Sequence, residues 1–551
     1  MRALICALNS KFIHSSLAPW YLKASAERHC ECVKCEIYET TINESKDKII
    51  DEILQKDIDL IAFSVYIWNV SLILEISREI KARKNVKILL GGPEVSYNAK
   101  RVLGEHSYVD YIISGEGELP FAMVCDGAPL EDIPGLCYRG DNGLVIKSPH
   151  TSRDDPPSPY TEEYLRCLDG RISYIETSRG CPYKCAFCLS GRCGGVRFFD
   201  LDESKKNILL LANSGTKTVK FIDRTFNADK KRAKELFEFI IEKSKSEIPE
   251  GVCFHFEIEG DILDDELINT LSRARAGLIQ MEIGLQSFNK KTLNEINRKT
   301  NTSRLKINIQ RLLEIGNIHV HLDLISGLPY EDLNSFSQSF NEAVSLGAHV
   351  VQLGFLKLLH GSELREKSNE YRLEFDKEPP YEIKSTPWIS RDELKGLHVV
   401  DDIFDRLYNS GRFSRTVRYI HSLVGNAFDF YFDCGAYIKN NEKTRTLDEF
   451  SGLVYEFASK MDRVDPLVLR DCMAQDRLAT NRMGVLPEFL KVKSPKIKEI
   501  LNFLDQDSST RRKKGIKRSA TILRSDNSFI YVDYDVKNLV TNEYKVTKLK
   551  I

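Results

Sequence analysis

SRGCPYKCAFCLSG, residues 178–191, sets cysteines at 181, 185 and 188, separated by three residues and then two. Thiolates are the usual ligands of iron–sulfur clusters, and a four-iron cubane ordinarily takes four of them. Three leave one iron open to a small molecule that carries an amine and a carboxylate. Zinc is the alternative metal, but it wants four ligands with a second close pair, and none follows. The segment ahead, RISYIETSRG (171–180), alternates through Ile172, Tyr174 and Glu176 and ends in Gly180. The cysteines therefore stand in a loop after a β-strand.

Five further strand-like segments follow, each succeeded by an amphipathic pattern: TVKFIDRTFN (218–227), VCFHFEIEG (252–260), LIQMEIGLQS (278–287), IHVHLDLISGLP (318–329) and HVVQLGFLKLL (349–359). Together they predict a partial (β/α)6 barrel over 170–370, with its chemistry at the carboxyl ends of the strands. Asp223, Asn227, Glu257, Glu259, Glu282, Gln286, Asp323, Gly327 and Lys357 fall at those ends. A carboxylate among Ile, Met, Leu and Phe costs on the order of several kcal/mol to bury alone. Each needs a ligand, or a basic neighbour such as Arg224, Arg273, Arg298 or Lys357.

Towards the N-terminus, ALICAL (3–8), KCEIYE (34–39), DLIAFSVYI (59–67), VKILLGG (86–92) and VDYIISG (109–115) alternate with helical patterns. This predicts a doubly wound, Rossmann-like α/β domain over 1–145, followed by a linker over 146–169. Ligands of such sheets bind beyond the strands' carboxyl ends, where GGPE (91–94) and GEGE (115–118) lie. Glycine there either admits a bulky ligand to the backbone or makes a tight turn.

Residues 371–551 read as an α+β domain, with helical patterns at 390–409 and 446–460 and alternating runs at 528–536 and 544–551. RRKKGIKR (511–518) carries no interleaved aromatic and follows the acidic DQD, so it reads as a solvated loop rather than a nucleic-acid patch. Cys253, Cys434 and Cys472 stand alone. Cys30, Cys32 and Cys35 precede a strand, where two would point to opposite faces. Cys193, five residues beyond the motif, reads as a structural thiol rather than a near-site hydrogen donor or methyl carrier.

The C-x3-C-x2-C run, with aromatic Phe187 before its last cysteine, resembles the radical S-adenosylmethionine (SAM) superfamily. The resemblance implies a 4Fe-4S cluster on Cys181, Cys185 and Cys188, and SAM chelated to the open iron and cleaved to a 5′-deoxyadenosyl radical. MEIGLQS and DLISGLPYED are similar to that family's fourth- and fifth-strand motifs. They imply SAM ribose contacts at Glu282 and Gln286, and an adenine-backing turn at Asp323 and Gly327. FIDRTFN stands where the second-strand motif faces the methionine moiety, which nominates Asp223 and Asn227 in place of Gly-Gly-Glu. The preceding domain resembles the cobalamin-binding domain of one radical SAM subfamily, nominating Ser64, Gly91, Gly92, Gly115, Glu116 and Gly117. The Asp-x-His-x-x-Gly run that gives cobalt a histidine elsewhere is absent, and His14, His29 and His106 stand in no such context. The implied cobalamin then lacks a protein histidine.

The whole order resembles bacterial cobalamin-binding radical SAM proteins whose C-terminal domain has no assigned role. It implies a methyltransferase acting on an unactivated carbon of a small-molecule or unknown substrate, with a flavodoxin- or ferredoxin-like electron donor. A radical cyclase or rearrangement enzyme and a cofactor-responsive binding protein with a structural cluster remain the alternatives. A methylthiotransferase would carry further N-terminal cluster cysteines and an RNA-binding barrel, neither evident here. The 551 residues, 42% hydrophobic, suffice for about three domains with proper cores. A net charge of -1 gives no field favouring nucleic acid or an anionic membrane. No charged leader with a long apolar stretch and no run of 18 apolar residues occurs, so the expectation is a cytoplasmic protein whose 14 cysteines stay reduced.

Overall fold

A strand with no charged side chain between Ala3 and Leu8 has to be covered on both faces, and β1 (Arg2–Asn9) is. Leu4, Cys6 and Leu8 pack with Ile49, Ile53, Ile73 and Ile80 of the helices Lys46–Leu54 and Val70–Arg83. Ala3 and Ile5 pack with Ala26, Phe121 and Ala122 of the helices Ala18–His29 and Glu118–Asp126. Each fully buried isoleucine contributes roughly 1.5–3 kcal/mol.

The computed structural model describes residues 1–441, 446–482, 484–506 and 515–550. The chain forms two compact units: Met1–Arg273 with Asn294–Lys299 and Phe355–Pro387, and Ala274–Leu293 with Thr300–Gly354 and Trp388–Ile551. Residues 355–387 pack within the first unit, where the Tyr381 hydroxyl donates to the buried Glu94 carboxylate of the GGPE loop.

In the first unit, β1, β2 (Lys34–Thr41), β3 (Leu60–Ser64), β4 (Lys87–Gly91) and β5 (Tyr111–Ile113) are parallel in the order β2-β1-β3-β4-β5. These are the five expected strands. The sheet continues into β6 (Leu136–Gly140) and β7 (Gly143–Val145), which are antiparallel and lacked a strand pattern of their own. The expected linker is packed: the backbone of His150 bonds to Ser114 and Glu116, and Tyr160, Tyr164 and Leu168 are buried. Beyond it, β8 (Ile172–Ile175), β11 (Thr218–Phe221) and β12 (Cys253–Ile258) run parallel in the order β12-β11-β8. Phe221, Phe226, Phe237 and Phe256 stack behind them, with Phe221 and Phe256 centred 4.4 Å apart. β9 (Ser178–Gly180) and β10 (Val196–Phe198) form a separate antiparallel hairpin.

The second unit carries β13 (Ile279–Gln286) and β14 (His319–Ser326), paired in parallel, and β15 (Val350–Phe355) beside β14. All six strands expected over 170–370 are present. An exposed edge strand invites unwanted pairing, and β15 is shielded: the Asn409 amide accepts from Val351 N–H at 2.9 Å and donates to its carbonyl at 3.0 Å. Short β16 (Glu374–Phe375) and β17 (Ile383–Ser385) belong to the first unit. The C-terminal region of the second carries separate helices, among them Arg391–Phe404, Ala427–Asn440, Pro466–Thr480 and Pro495–Gln506, and ends in the antiparallel sheet β18 (Arg518–Ile522), β19 (Phe529–Lys537), β20 (Tyr544–Leu549), an α+β arrangement. Arg511–Lys514 of the basic run lie outside the described residues. Arg518 is no solvated loop residue: it opens β18, is buried, and pairs with half-buried Asp533 at 2.6 Å. Among the described residues no helix is long and apolar enough to cross a membrane.

Candidate functional site

The β9–β10 pairing sets Gly180 opposite Val196, so residues 181–195 form a closed loop that carries all three motif cysteines. The loop is fixed further by Ala186 N–H on the Ile296 carbonyl and Leu364 N–H on the Ala186 carbonyl, both at 2.9 Å. Cys181, Cys185 and Cys188 are half-buried. Cys181 Sγ lies 3.3 Å from Thr225 Oγ1, Cys188 Sγ accepts the Ser190 N–H at 3.4 Å, and Cys185 Sγ lies 4.0 Å from Arg298 Nη1. Burial pushes the Cys185 thiol up against the pull of Arg298, and Cys188 and Cys181 push it further, so the three sulfurs share one electrostatic neighbourhood. Among the described residues no three His, Cys, Asp or Glu side chains converge on one metal ion. A four-iron cluster does not ask for that, since each thiolate takes a different iron. Partly open thiols in one loop beside a guanidinium suit an anionic cluster. Phe187 is half-buried within this loop; the backbone of Cys193 closes a short 3-10 turn, and its side chain lies outside the described residues.

Arg298 is also ion-paired with Glu259 at 2.6 Å. Glu259 is 3% exposed, and burial lifts it to about 7 even with Arg298 alongside. Asp223 is 1% exposed; its carboxylate accepts from Thr177 N–H, Thr177 Oγ1 and Ser178 Oγ at 2.6–3.0 Å, and burial still holds it at about 6. Asn227 is fully buried, and its amide exchanges two hydrogen bonds with the Glu259 backbone. Asp223 thus fixes the strand that leads into the cysteines, and Asn227 fixes the end of β12.

Beyond the carboxyl ends of β3, β4 and β5 lies a cavity of about 570 Å³, and Ser64, Gly91, Gly92, Gly115, Glu116 and Gly117 all line it. In the strand order 2-1-3-4-5 this is the switch-point crevice. Its wall also includes Leu17, Tyr66, Glu176 and Arg179, a mixture suited to a large, partly apolar ligand. Two of these glycines are also required by the chain itself. At Gly92 (φ +118) a Cβ would lie 2.4 Å from the Val65 carbonyl oxygen, and at Gly115 (φ +89) 2.2 Å from that of His150. Gly92→Ala is expected to cost at least about 1–3 kcal/mol of backbone strain, read as a lowered denaturation midpoint, while Gly91→Ala, whose nearest atom is 3.9 Å away, leaves stability nearly unchanged. Glu116 is engaged by Arg179 and Arg197 at 2.7 and 2.8 Å. Of the histidines, His14 bonds Tyr174 at 2.7 Å, His29 the Ser25 carbonyl and His106 Tyr108, and none of the three lines the cavity. His150 does, but its Nε2 is buried away from solvent.

In the second unit Gln280, Glu282, Gly284 and Gln286 share one face of β13, opposite buried Met281, Ile283 and Leu285. Gln286 has φ 64 at a bulge against β14, a strained end of the kind found at functional sites. On β14 Asp323 lies 3.2 Å from His321 Nε2, and Gly327 follows with φ 82. Sequence reading missed Glu331, quoted within LPYED: it is 1% exposed, accepts from Ser287 and Ser339, and burial raises it to about 8. Arg179 was missed as well, and its place inside the cysteine motif was the available signal.

Three family models match in succession: the B12 binding domain at 4–124, the radical SAM superfamily at 175–343 and a protein of unknown function, DUF4080, at 369–550. The 2-(S-pantetheinyl)-carbapenam-3-carboxylate methyltransferase of Streptantibioticus cattleyicolor is 27% identical over 318 residues, 53% of this chain and 46% of that protein. The cobalamin-dependent radical SAM methyltransferase TokK of Streptomyces tokunonensis is 26% identical over 325 residues, 54% and 47%. The chain thus spans about half the length of these curated relatives. The cobalamin-dependent SAM radical enzyme OxsB, solved with aqua-cobalamin and SAM, superposes with a TM-score of 0.59 at 14% identity, covering 92% of this chain and 80% of that one. At that identity the likeness is one of fold. Along the chain, a region similar to the B12 binding domain is thus followed by one similar to the radical SAM superfamily and one similar to DUF4080, the order expected from the sequence.

Proposed function

We propose that this protein is a cobalamin-dependent radical SAM methyltransferase acting on an unactivated carbon of a small molecule. The observation that carries the reading is the cavity wall: Ser64 and the five glycine-loop residues Gly91, Gly92, Gly115, Glu116 and Gly117 share it with Glu176, Arg179 and Arg192, from just before and within the cysteine loop. When bound, the cluster, SAM and cobalamin together supply the conversion of R–H, two SAM and two electrons into R–CH3, S-adenosylhomocysteine, methionine and 5′-deoxyadenosine, the substrate hydrogen leaving on 5′-deoxyadenosine. A flavodoxin- or ferredoxin-like donor is the class of protein that would supply the electrons.

The chain's own residues hold and orient. Cys181, Cys185 and Cys188 would hold three irons, and Arg298 sets a positive charge beside the Cys185 sulfur. Hydrogen bonds near a cluster's sulfurs are among the levers on its potential. Asp223 and the β9–β10 hairpin fix the loop. Glu282, Gln286, Asp323 and Gly327, at or near the carboxyl ends of β13 and β14, are assigned to SAM's ribose and adenine. Ser64, Gly91, Gly92, Gly115, Glu116 and Gly117 are assigned to cobalamin.

The test is product analysis under strictly anaerobic conditions. Reconstituted protein with reductant and SAM is expected to release 5′-deoxyadenosine, and to release S-adenosylhomocysteine only when cobalamin is added. Release of 5′-deoxyadenosine with no cobalamin-dependent S-adenosylhomocysteine would overturn methyl transfer.

A further inference from the structure

Arg179 stands two residues before Cys181, its side chain 16% exposed and surrounded by three carboxylates. Nε and Nη2 donate to Glu176 at 2.9 and 2.7 Å, Nη1 to Glu116 at 2.7 Å, and Nη2 to Glu118 at 2.9 Å. Arg197, directly opposite across the hairpin, donates to Glu116 at 2.8 and 3.3 Å. Glu116 belongs to the glycine-rich loop after β5 and Glu118 opens the helix that follows that loop, whereas Arg179 and Arg197 belong to the hairpin that closes the cysteine loop. Glu116, Glu118, Glu176 and Arg179 also line the cavity.

A guanidinium is a planar fork with fixed donor directions, so it holds geometry where an ammonium holds only charge. Here one fork grips both loops, and neither can shift without breaking charge-assisted hydrogen bonds that are mostly withdrawn from water. A ligand that fills the cavity rests on the same side chains that set the start of the cysteine loop.

We propose that Arg179 is a positioning residue that couples the two cofactor sites, so that loading one raises affinity for the other. This rests on the reading that the cavity takes cobalamin and the cysteines a cluster. Coupling of this kind is reciprocal, and commonly amounts to about 5–150-fold in affinity.

The test is anaerobic titration with hydroxocobalamin, followed by visible absorbance, on protein with and without its reconstituted cluster. The expected result is that wild-type protein binds about tenfold tighter with the cluster present, and that cobalamin shifts the electron paramagnetic resonance spectrum of the reduced cluster. In Arg179→Gln both cofactors still bind, but the affinity ratio falls towards one and the spectral shift disappears; Arg179→Lys restores it only in part. Should Arg179→Gln fail to fold, Glu118→Gln removes one grip from the cavity side and is expected to lower the ratio severalfold. A wild-type ratio of one, or a ratio unchanged in the variants, would overturn the coupling. A wild-type protein that holds its cluster but retains no cobalamin would instead overturn the cofactor assignment beneath it.

Discussion

Cys185→Ala protein is expected to lose the broad visible absorbance of the cluster after reconstitution and to form 5′-deoxyadenosine only at background. Two thiolates cannot replace three on a cubane that already leaves one iron open. The fold should survive, because the loop is held by the β9–β10 pairing and by backbone bonds of Ala186 to Ile296 and Leu364, none of which uses the thiol. Iron content, circular dichroism and product formation on one preparation check this. A variant that keeps four irons and full SAM cleavage would show that Cys185 is not a ligand.

Glu331→Gln is expected to flatten the dependence of stability on pH. Burial raises the Glu331 carboxyl from 4.5 to about 8, opposed by the hydroxyls of Ser287 and Ser339. A carboxyl raised in the folded state gives stability that is full below about pH 4.5. As pH rises towards 8 the unfolded chain gives up its proton while the folded one keeps it, and that stability is lost. The interval corresponds to on the order of 5 kcal/mol for this one group. The neutral amide still accepts from Ser287 and has nothing to ionise, so the variant should gain relative stability from pH 5 to pH 8, measured by denaturant midpoints. Parallel curves for the two proteins would contradict the burial argument.

Much of this was legible in the residues. Strands β1 to β5 were readable because a doubly wound sheet must be apolar on both faces, and each is a short apolar run. β6 and β7 were not, since LCYRG and GLV are too short and mixed to alternate. The cysteine loop was readable from spacing alone. What Asp223 and Asn227 do was not: their residue types suit a cofactor, and only the fold shows them spending their hydrogen bonds on Thr177, Ser178 and the Glu259 backbone. Gly92 and Gly115 carry a similar lesson. Their positions were found, while the atoms that forbid a side chain there belong to Val65 and His150, far away in the chain. Glu331 was hidden in plain view, because burial of a carboxyl is a tertiary fact.

The central claim is that one chain holds a four-iron cluster in the cysteine loop and cobalamin in the glycine-lined cavity. The most direct measurement is the iron and cobalt content of anaerobically reconstituted protein, incubated with hydroxocobalamin and then desalted. Four irons and one cobalt per chain are expected. Four irons with no retained cobalt would contradict it and leave the cavity to another ligand.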